Sequence, residues 1–143
     1  MNRQDLIHQL QIYQSFNEQE ETDRKVMLEL LETTEDIFYR TNLLAHFSAS
    51  AWVLNKAHTH VLMAFHNIYQ TYAWLGGHAD GEEDLLSVAL REVKEETGLD
   101  LIDYVHRGIV IFNYNDDEPL DMYLYTSKNF SGELQECSEG DLK

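Results

Sequence analysis

The 143 residues predict a mixed domain, α/β or α+β, on three observations. Apolar residues recur at helical spacing near the N-terminus and again between Leu86 and Val93. Short β-favouring runs, bounded by turn residues, lie between and after those stretches. The resulting order is helices, strands, one central helix, then more strands, which is not a regular alternation of strand and helix.

Residues 4 to about 45 read as helical. Leu6, Leu10 and Tyr13 begin one apolar spacing, and Val26, Met27, Leu30 and Leu31 continue another after the acidic break NEQEETD. Thr22 or Asp23 is the expected cap of the second helix. No Pro or Gly precedes Gly76, so this segment is expected to be docked on the rest of the chain. The expected division is a helical extension over residues 1–45 and a main domain over residues 46–143.

From Phe47 the period changes. SASAWVLN and THVLMAFHN read as strands, with Asn55-Lys56 as the turn between them. TYAWL, Thr71 to Leu75, is a further short strand ending at Gly76-Gly77. Beyond the central helix, YVHRGIVIFNYN and DMYLYTS read as two more, joined by NDDEP with the only proline, Pro119.

Composition narrows the function. The length suits one domain, and 43% hydrophobic content is ordinary for a globular protein. No apolar run approaches the ~18 residues of a membrane span. The N-terminus has no apolar core of a secretory signal. A single cysteine, Cys137, excludes an intramolecular disulfide framework and fits a reducing, cytoplasmic setting. The net charge of −16 argues against general nucleic-acid binding, because such a surface repels a phosphate backbone. A small phosphorylated substrate stays compatible, provided divalent cations mediate the contact.

The central helix is the informative element. Asp84 to Thr97 contains no breaker, and Gly98 stands where a C-terminal stop belongs. Leu86, Ala89, Leu90 and Val93 form one apolar stripe. Glu92, Glu95 and Glu96 cluster on a neighbouring face, near a helix C-terminus whose dipole favours cations. Glu92 and Glu96, four apart, repel by about 0.2–0.5 kcal/mol. On the carboxylates alone, a solvated helix face accounts for them, since glutamate is a good helix former. A hard divalent cation would also relieve the conflict, because Mg²⁺ takes oxygen ligands and keeps positions for substrate phosphates. Gly76-Gly77 would let the backbone come close to the metal or the phosphates.

The full spacing shifts the balance between these readings. Gly77, Glu83, Arg91-Glu92-Val93, Glu95-Glu96 and Gly98-Leu99 stand at the offsets Gly, five residues, Glu, seven residues, Arg-Glu, aliphatic, any, Glu-Glu, any, Gly, aliphatic. In this the chain resembles the Nudix hydrolase superfamily, with the motif over residues 77–99 and the wider likeness from about residue 46. The resemblance implies an α/β/α sandwich with a mixed β-sheet, and Mg²⁺- or Mn²⁺-dependent hydrolysis of a nucleoside diphosphate linked to another group. It implies Glu92, Glu95, Glu96 and the carbonyl of Gly76 as metal ligands, Arg91 as the group that orients a ligand glutamate, and Glu83 in the surrounding shell. The general base is either a box glutamate or Glu139 in CSEGDLK, a segment where some members carry it. Glu82, not glycine, precedes Glu83, a small departure from the commonest pattern.

The wording AHFSASAWVLN followed by LGGHADGE is similar to a bacterial subgroup with an N-terminal helical extension. Members normally continue past a SEGDLK-like segment with a strand and a helix. Here the last layer is expected to be absent, or to come from the N-terminal helices or from a partner in a homodimer. The alternative function is a catalytically silent nucleotide-sensing or interaction module on the same fold. Non-hydrolytic chemistry on a diphosphate is a third option.

Other residues carry less. His78, beside the motif, and Trp74 are candidate substrate contacts, to a phosphate or a base. His58, His60 and His66 lack a third ligand at zinc spacing and read as strand or surface histidines. The aromatic residues Tyr69, Tyr72, Phe112, Tyr114, Tyr123 and Tyr125 read as core. Asp116, Asp117, Glu118 and Asp121 read as a solvated turn.

Overall fold

The computed structural model describes residues 2–67, 70–112, 120–137 and 140–143. The candidate base Glu139, the loop with Pro119, and Tyr69 and Tyr114 lie outside them. The fold is mixed α+β, as its order of elements predicts. Among the described residues no helix is long and apolar enough to cross a membrane.

Two helices open the chain. α1, Arg3–Ile12, starts with a capping box: the Asn2 side chain accepts from the Asp5 amide and the Asp5 carboxylate accepts from the Asn2 amide. α2, Glu18–Thr33, is capped by Asn17, whose side chain accepts from the Glu20 amide. This corrects the expectation of a cap at Thr22 or Asp23, which lie inside α2. The acidic run that reads as a break is the first turn of that helix, where Glu18, Glu20 and Glu21 complement the positive end of the dipole.

Helix does not continue to residue 45, a second correction. Thr34 leaves the helix in an extended conformation. Local side-chain bonds then take over the backbone: Asn42 accepts from the amides of Leu44 and Ala45, and its own amide donates to Asp36. Such bonds offer the chain an alternative to the helical ladder.

The strands follow as β1 (Ser48–Leu54), β2 (Val61–Leu62), β3 (Ala64–His66), β4 (Thr71–Ala73) and β5 (Leu75–His78). After α3 (Leu85–Thr97) come β6 (Asp100–Leu101), β7 (Val105–Phe112), β8 (Leu120–Ser127), β9 (Phe130–Ser131) and β10 (Gly140–Leu142). β1 is central. One edge runs parallel to β8, which in turn pairs antiparallel with β7. The other edge is shared, with β5 along Ser48 to Ala51 and β2 along Val53 and Leu54. A second sheet has the order β10-β3-β4, and β6 pairs with β9.

THVLMAFHN is therefore two strands in different sheets. They part at Met63, whose amide and carbonyl both pair with Lys143. TYAWL parts the same way at Trp74, with Thr71 to Ala73 in the second sheet and Leu75 in the first.

Alternation along β1 places Ala49, Ala51 and Val53 on one face. Their small side chains accept α3: Ala49 falls in one buried cluster with Leu85, Val88 and Ala89, and Ala51 and Val53 in another with Val93 and Leu99. The first cluster also holds Leu6, Ile7 and Leu10 of α1, Met27 and Leu31 of α2, and Ile37, Phe38 and Phe47. The N-terminal helices thus share a core with α3 and the sheet, as the absence of Pro and Gly suggests. Burying each large side chain of this kind contributes about 1.5–3 kcal/mol. Tyr125 of β8 lies in the same cluster, and burial, with the nearby charge of Asp84, pushes its phenol up to about 12.

Candidate functional site

α3 carries the acidic residues, and its ends explain why it holds there. Asp84 caps the start, accepting from the Ser87 amide. Gly98 ends it at φ 78°, a left-handed conformation suited to glycine. Lys94 donates to the Gly98 carbonyl and so offsets the misplaced negative charge of the last turn.

Leu75, Gly76 and Gly77 of β5 run antiparallel to β1, with Gly76 opposite Ser50 and Gly77 opposite Ala49. α3 packs on both strands. Two of its carboxylates reach this glycine pair. Glu96 is buried, and its Oε2 accepts from the Gly76 amide at 3.1 Å. Glu92 is mostly buried and lies against Gly77, so close that a Cβ there would sit 2.5 Å from its Oε2. Glycine at 77 is the condition for that approach. Arg91 donates from Nη2 to Glu92 Oε1 at 2.9 Å and reaches the His78 carbonyl at 3.5 Å. A charge-assisted bond of this kind fixes the carboxylate's direction.

The structure does not bring all the sequence candidates together. Glu95 is exposed, one step round the helix from the pair. Glu83 is engaged elsewhere: its Oε2 accepts from the Arg3 amide at 2.9 Å, and its Oε1 lies 3.8 Å from Arg3 Nε. Trp74 stacks with Trp52, ring centroids 6.4 Å apart. His78 is half-buried at the end of β5, with its Nδ1 2.9 Å from His46 Nε2. His46 Nδ1 faces the Asn42 carbonyl, which can only accept, so that nitrogen carries a proton. With both rings neutral, His78 Nδ1 donates to His46 and His78 Nε2 is left as the acceptor. Burial first, then the charge of Arg40 and the repulsion that protonating both imidazoles would create, hold the His78 pKa below the ordinary histidine value, against the opposing effect of Asp80.

Among the described residues no three His, Cys, Asp or Glu side chains already form a metal cage. The donor chemistry nevertheless fits a hard cation. Two carboxylates reach the Gly76-Gly77 backbone, which Gly77 keeps bare, and Mg²⁺ needs only a few protein oxygens. Gly77→Ala is expected to push the Glu92 carboxylate aside while leaving the fold intact. Turnover should fall about tenfold or more with little change in melting temperature.

Residues far away in sequence complete the surroundings. Arg40 forms a forked ion pair with Asp80, the residue after Ala79 in the loop between β5 and α3. Hydrogen bonds from Arg40 hold the Asp80 carboxyl below the usual aspartate range, against burial. A lowered pKa stabilises the fold above the unfolded value near 3.8 and loses that contribution as pH falls through the folded value. Melting temperatures taken from about pH 5 down to about pH 3 should therefore fall more steeply in the wild type than in Asp80→Asn. Arg40 and His46 carry no local sequence signal, because their partners lie 40 and 32 positions on.

The family described as NUDIX domain matches residues 44–143. The chain belongs to this family. Solved structures of similar fold include a MutT protein from Bacillus halodurans, with 24% identity and a TM-score of 0.55 over 67% of this chain. This chain covers 65% of that protein, slightly under two thirds of its length. A MutT NUDIX hydrolase from Burkholderia pseudomallei has 19% identity and a TM-score of 0.60, covering 68% of this NUDIX chain and 79% of its own. An Ap4A hydrolase from C. elegans has 20% identity and a TM-score of 0.52, covering 67% and 76%. No curated protein matches the NUDIX chain in sequence.

Proposed function

We propose that this NUDIX protein is a pyrophosphohydrolase, dependent on Mg²⁺ or Mn²⁺, that cleaves a nucleoside diphosphate linked to another group. The observation that carries the reading is the pair Glu92 and Glu96 on α3, both directed at Gly76-Gly77 on β5. When bound, the cation supplies Lewis acidity, offsetting phosphate charge and lowering the pKa of water. Glu92, Glu96 and the Gly76 carbonyl would hold it, with exposed Glu95 as a further ligand.

The chain's own groups do the rest. The Gly76 amide and the burial of Glu96 fix one carboxylate, and Arg91 fixes the other through Glu92. A carboxylate accepts the proton lost by the attacking water, either a box glutamate or Glu139. His78 is the contact we assign to the substrate beside the loop, and its Nε2 would accept from a hydroxyl or an amino group. Trp74 is a second, more distant candidate contact. The lone Cys137 supports a setting in the cytoplasm.

A panel of nucleoside triphosphates, dinucleoside polyphosphates, nucleotide sugars and ADP-ribose, each assayed with Mg²⁺ and with Mn²⁺, tests the reading. Metal-dependent release of a phosphorylated product from at least one class is expected. Nucleotide binding without turnover at any metal concentration would instead support the silent sensing module.

A further inference from the structure

The loop that joins β5 to α3 is held by residues 3–47, that is, by the N-terminal extension and by Phe47 just beyond it. The Ala79 amide donates to the Phe47 carbonyl at 3.0 Å, and the Gly81 amide to the Phe38 carbonyl at 2.9 Å. Asp80 is paired with Arg40, and the Tyr39 ring lies so close to Gly81 that a Cβ there would meet it at 2.7 Å. Glu83 is bound by Arg3 through both the backbone amide and the guanidinium. Residues 79, 80, 81 and 83 therefore each have a partner from residues 3–47.

Arg3 joins the parts. As the first residue of α1 its amide has no partner within the helix, and Glu83 supplies the acceptor and a negative charge at the helix's positive end. Its guanidinium donates to the Thr34 carbonyl at 3.2 Å and the Glu35 carbonyl at 2.6 Å, beyond the end of α2. The same group lies 5.3 Å from the centroid of the Phe38 ring, whose backbone holds Gly81. One side chain thus connects the start of α1, the end of α2, the segment 37–47 and the loop.

We propose that the extension is a clamp built into the chain, with Arg3 as a positioning residue that acts through Glu83 to set the loop 79–84. The two ends of that loop lead into Gly76-Gly77 and into α3, so its position fixes how Glu92 and Glu96 meet the glycine pair. The extension belongs to the site, although none of its residues needs to touch the cation or the reacting phosphate. The kinetic part of this inference rests on the hydrolase reading; the structural part does not.

Amide hydrogen exchange on the full-length protein, free of substrate and metal, tests the clamp. Exchange at residues 79–84 is expected to rise about tenfold in Arg3→Ala, with little change in α3 or β1. Arg3→Lys, which keeps the charge beside Glu83, should restore most of the protection. In hydrolysis assays Arg3→Ala should lower kcat about tenfold with KM within about twofold, again recovered by lysine. Wild-type exchange at 79–84 in both Arg3→Ala and Glu83→Ala would overturn the clamp, whatever the kinetics. So would equal loss of protection throughout the domain in Arg3→Ala, with no recovery in Arg3→Lys, because that pattern is general destabilisation. If the wild type hydrolyses nothing, the proposed function falls while the exchange result still decides the clamp.

Discussion

Glu96→Gln is expected to lower turnover by about 10²–10⁴-fold while the protein stays folded. The side chain is buried and receives the Gly76 amide, so its place is set before any ligand arrives. Glutamine keeps an oxygen that can accept from that amide, and the loss of stability should stay within about 1 kcal/mol. What it loses is the negative charge, which would hold a divalent cation and which the fold itself does not need. Glu92→Gln should show a similar loss, because it also leaves Arg91 facing a neutral partner. Steady-state kinetics beside thermal melts checks both variants. Wild-type rates in the two would remove the carboxylates from the chemistry.

Leu6→Ala is expected to destabilise the whole domain by about 2–5 kcal/mol. Leu6 is fully buried, and its cluster runs from α1 through Met27 and Leu31 to Leu85, Val88 and Ala89 beneath the acidic helix. A cavity there is shared by the extension and by α3. For a chain of this size, each kcal/mol lowers the melting temperature by roughly 2–4 °C. Ile12→Ala, at the exposed end of α1, serves as the control and should change stability by no more than about 0.5 kcal/mol. Denaturant unfolding distinguishes the cases. A single transition that shifts as a whole in Leu6→Ala is the expected result, while a separate early transition would mean that the extension unfolds on its own.

The acidic motif was readable from sequence because its members lie on one helix and one adjoining loop, where spacing determines geometry. α3 begins and ends within a residue of the sequence expectation, since Asp84 and Gly98 carry strong cap chemistry. The Gly76-Gly77 pair and its proximity to the glutamates follow from the same motif. The acidic run NEQEETD reads as a break although it opens α2, because acids at a helix start and acids in a loop look alike until the Asn17 cap is seen. The segment 34–45 reads as helix from its sequence because the bonds made by Asn42 to its own backbone neighbours, which compete with a helix that propensity alone would allow, appear only in the folded chain. The breaks at Met63 and Trp74 were hidden because each depends on which sheet a strand joins, and β10 supplies that information from the far end of the chain.

The surroundings of the site were not readable. Arg3 and Glu83 are 80 positions apart, and neither has a spacing that points to the other. The same holds for Arg40 with Asp80 and His46 with His78. Only the folded core brings them together, so a motif search identifies the glutamates but not the frame that holds them. Glu83 illustrates the difference: its place in the motif suggests the metal's neighbourhood, whereas its bonds lead to the start of α1.

Anomalous diffraction from crystals soaked in Mn²⁺ is the most direct measurement of the central claim. A peak between the Glu92 and Glu96 carboxylates, beside Gly76, is the expected result. Well-ordered carboxylates with no peak between them, at a metal concentration that supports hydrolysis, would contradict it.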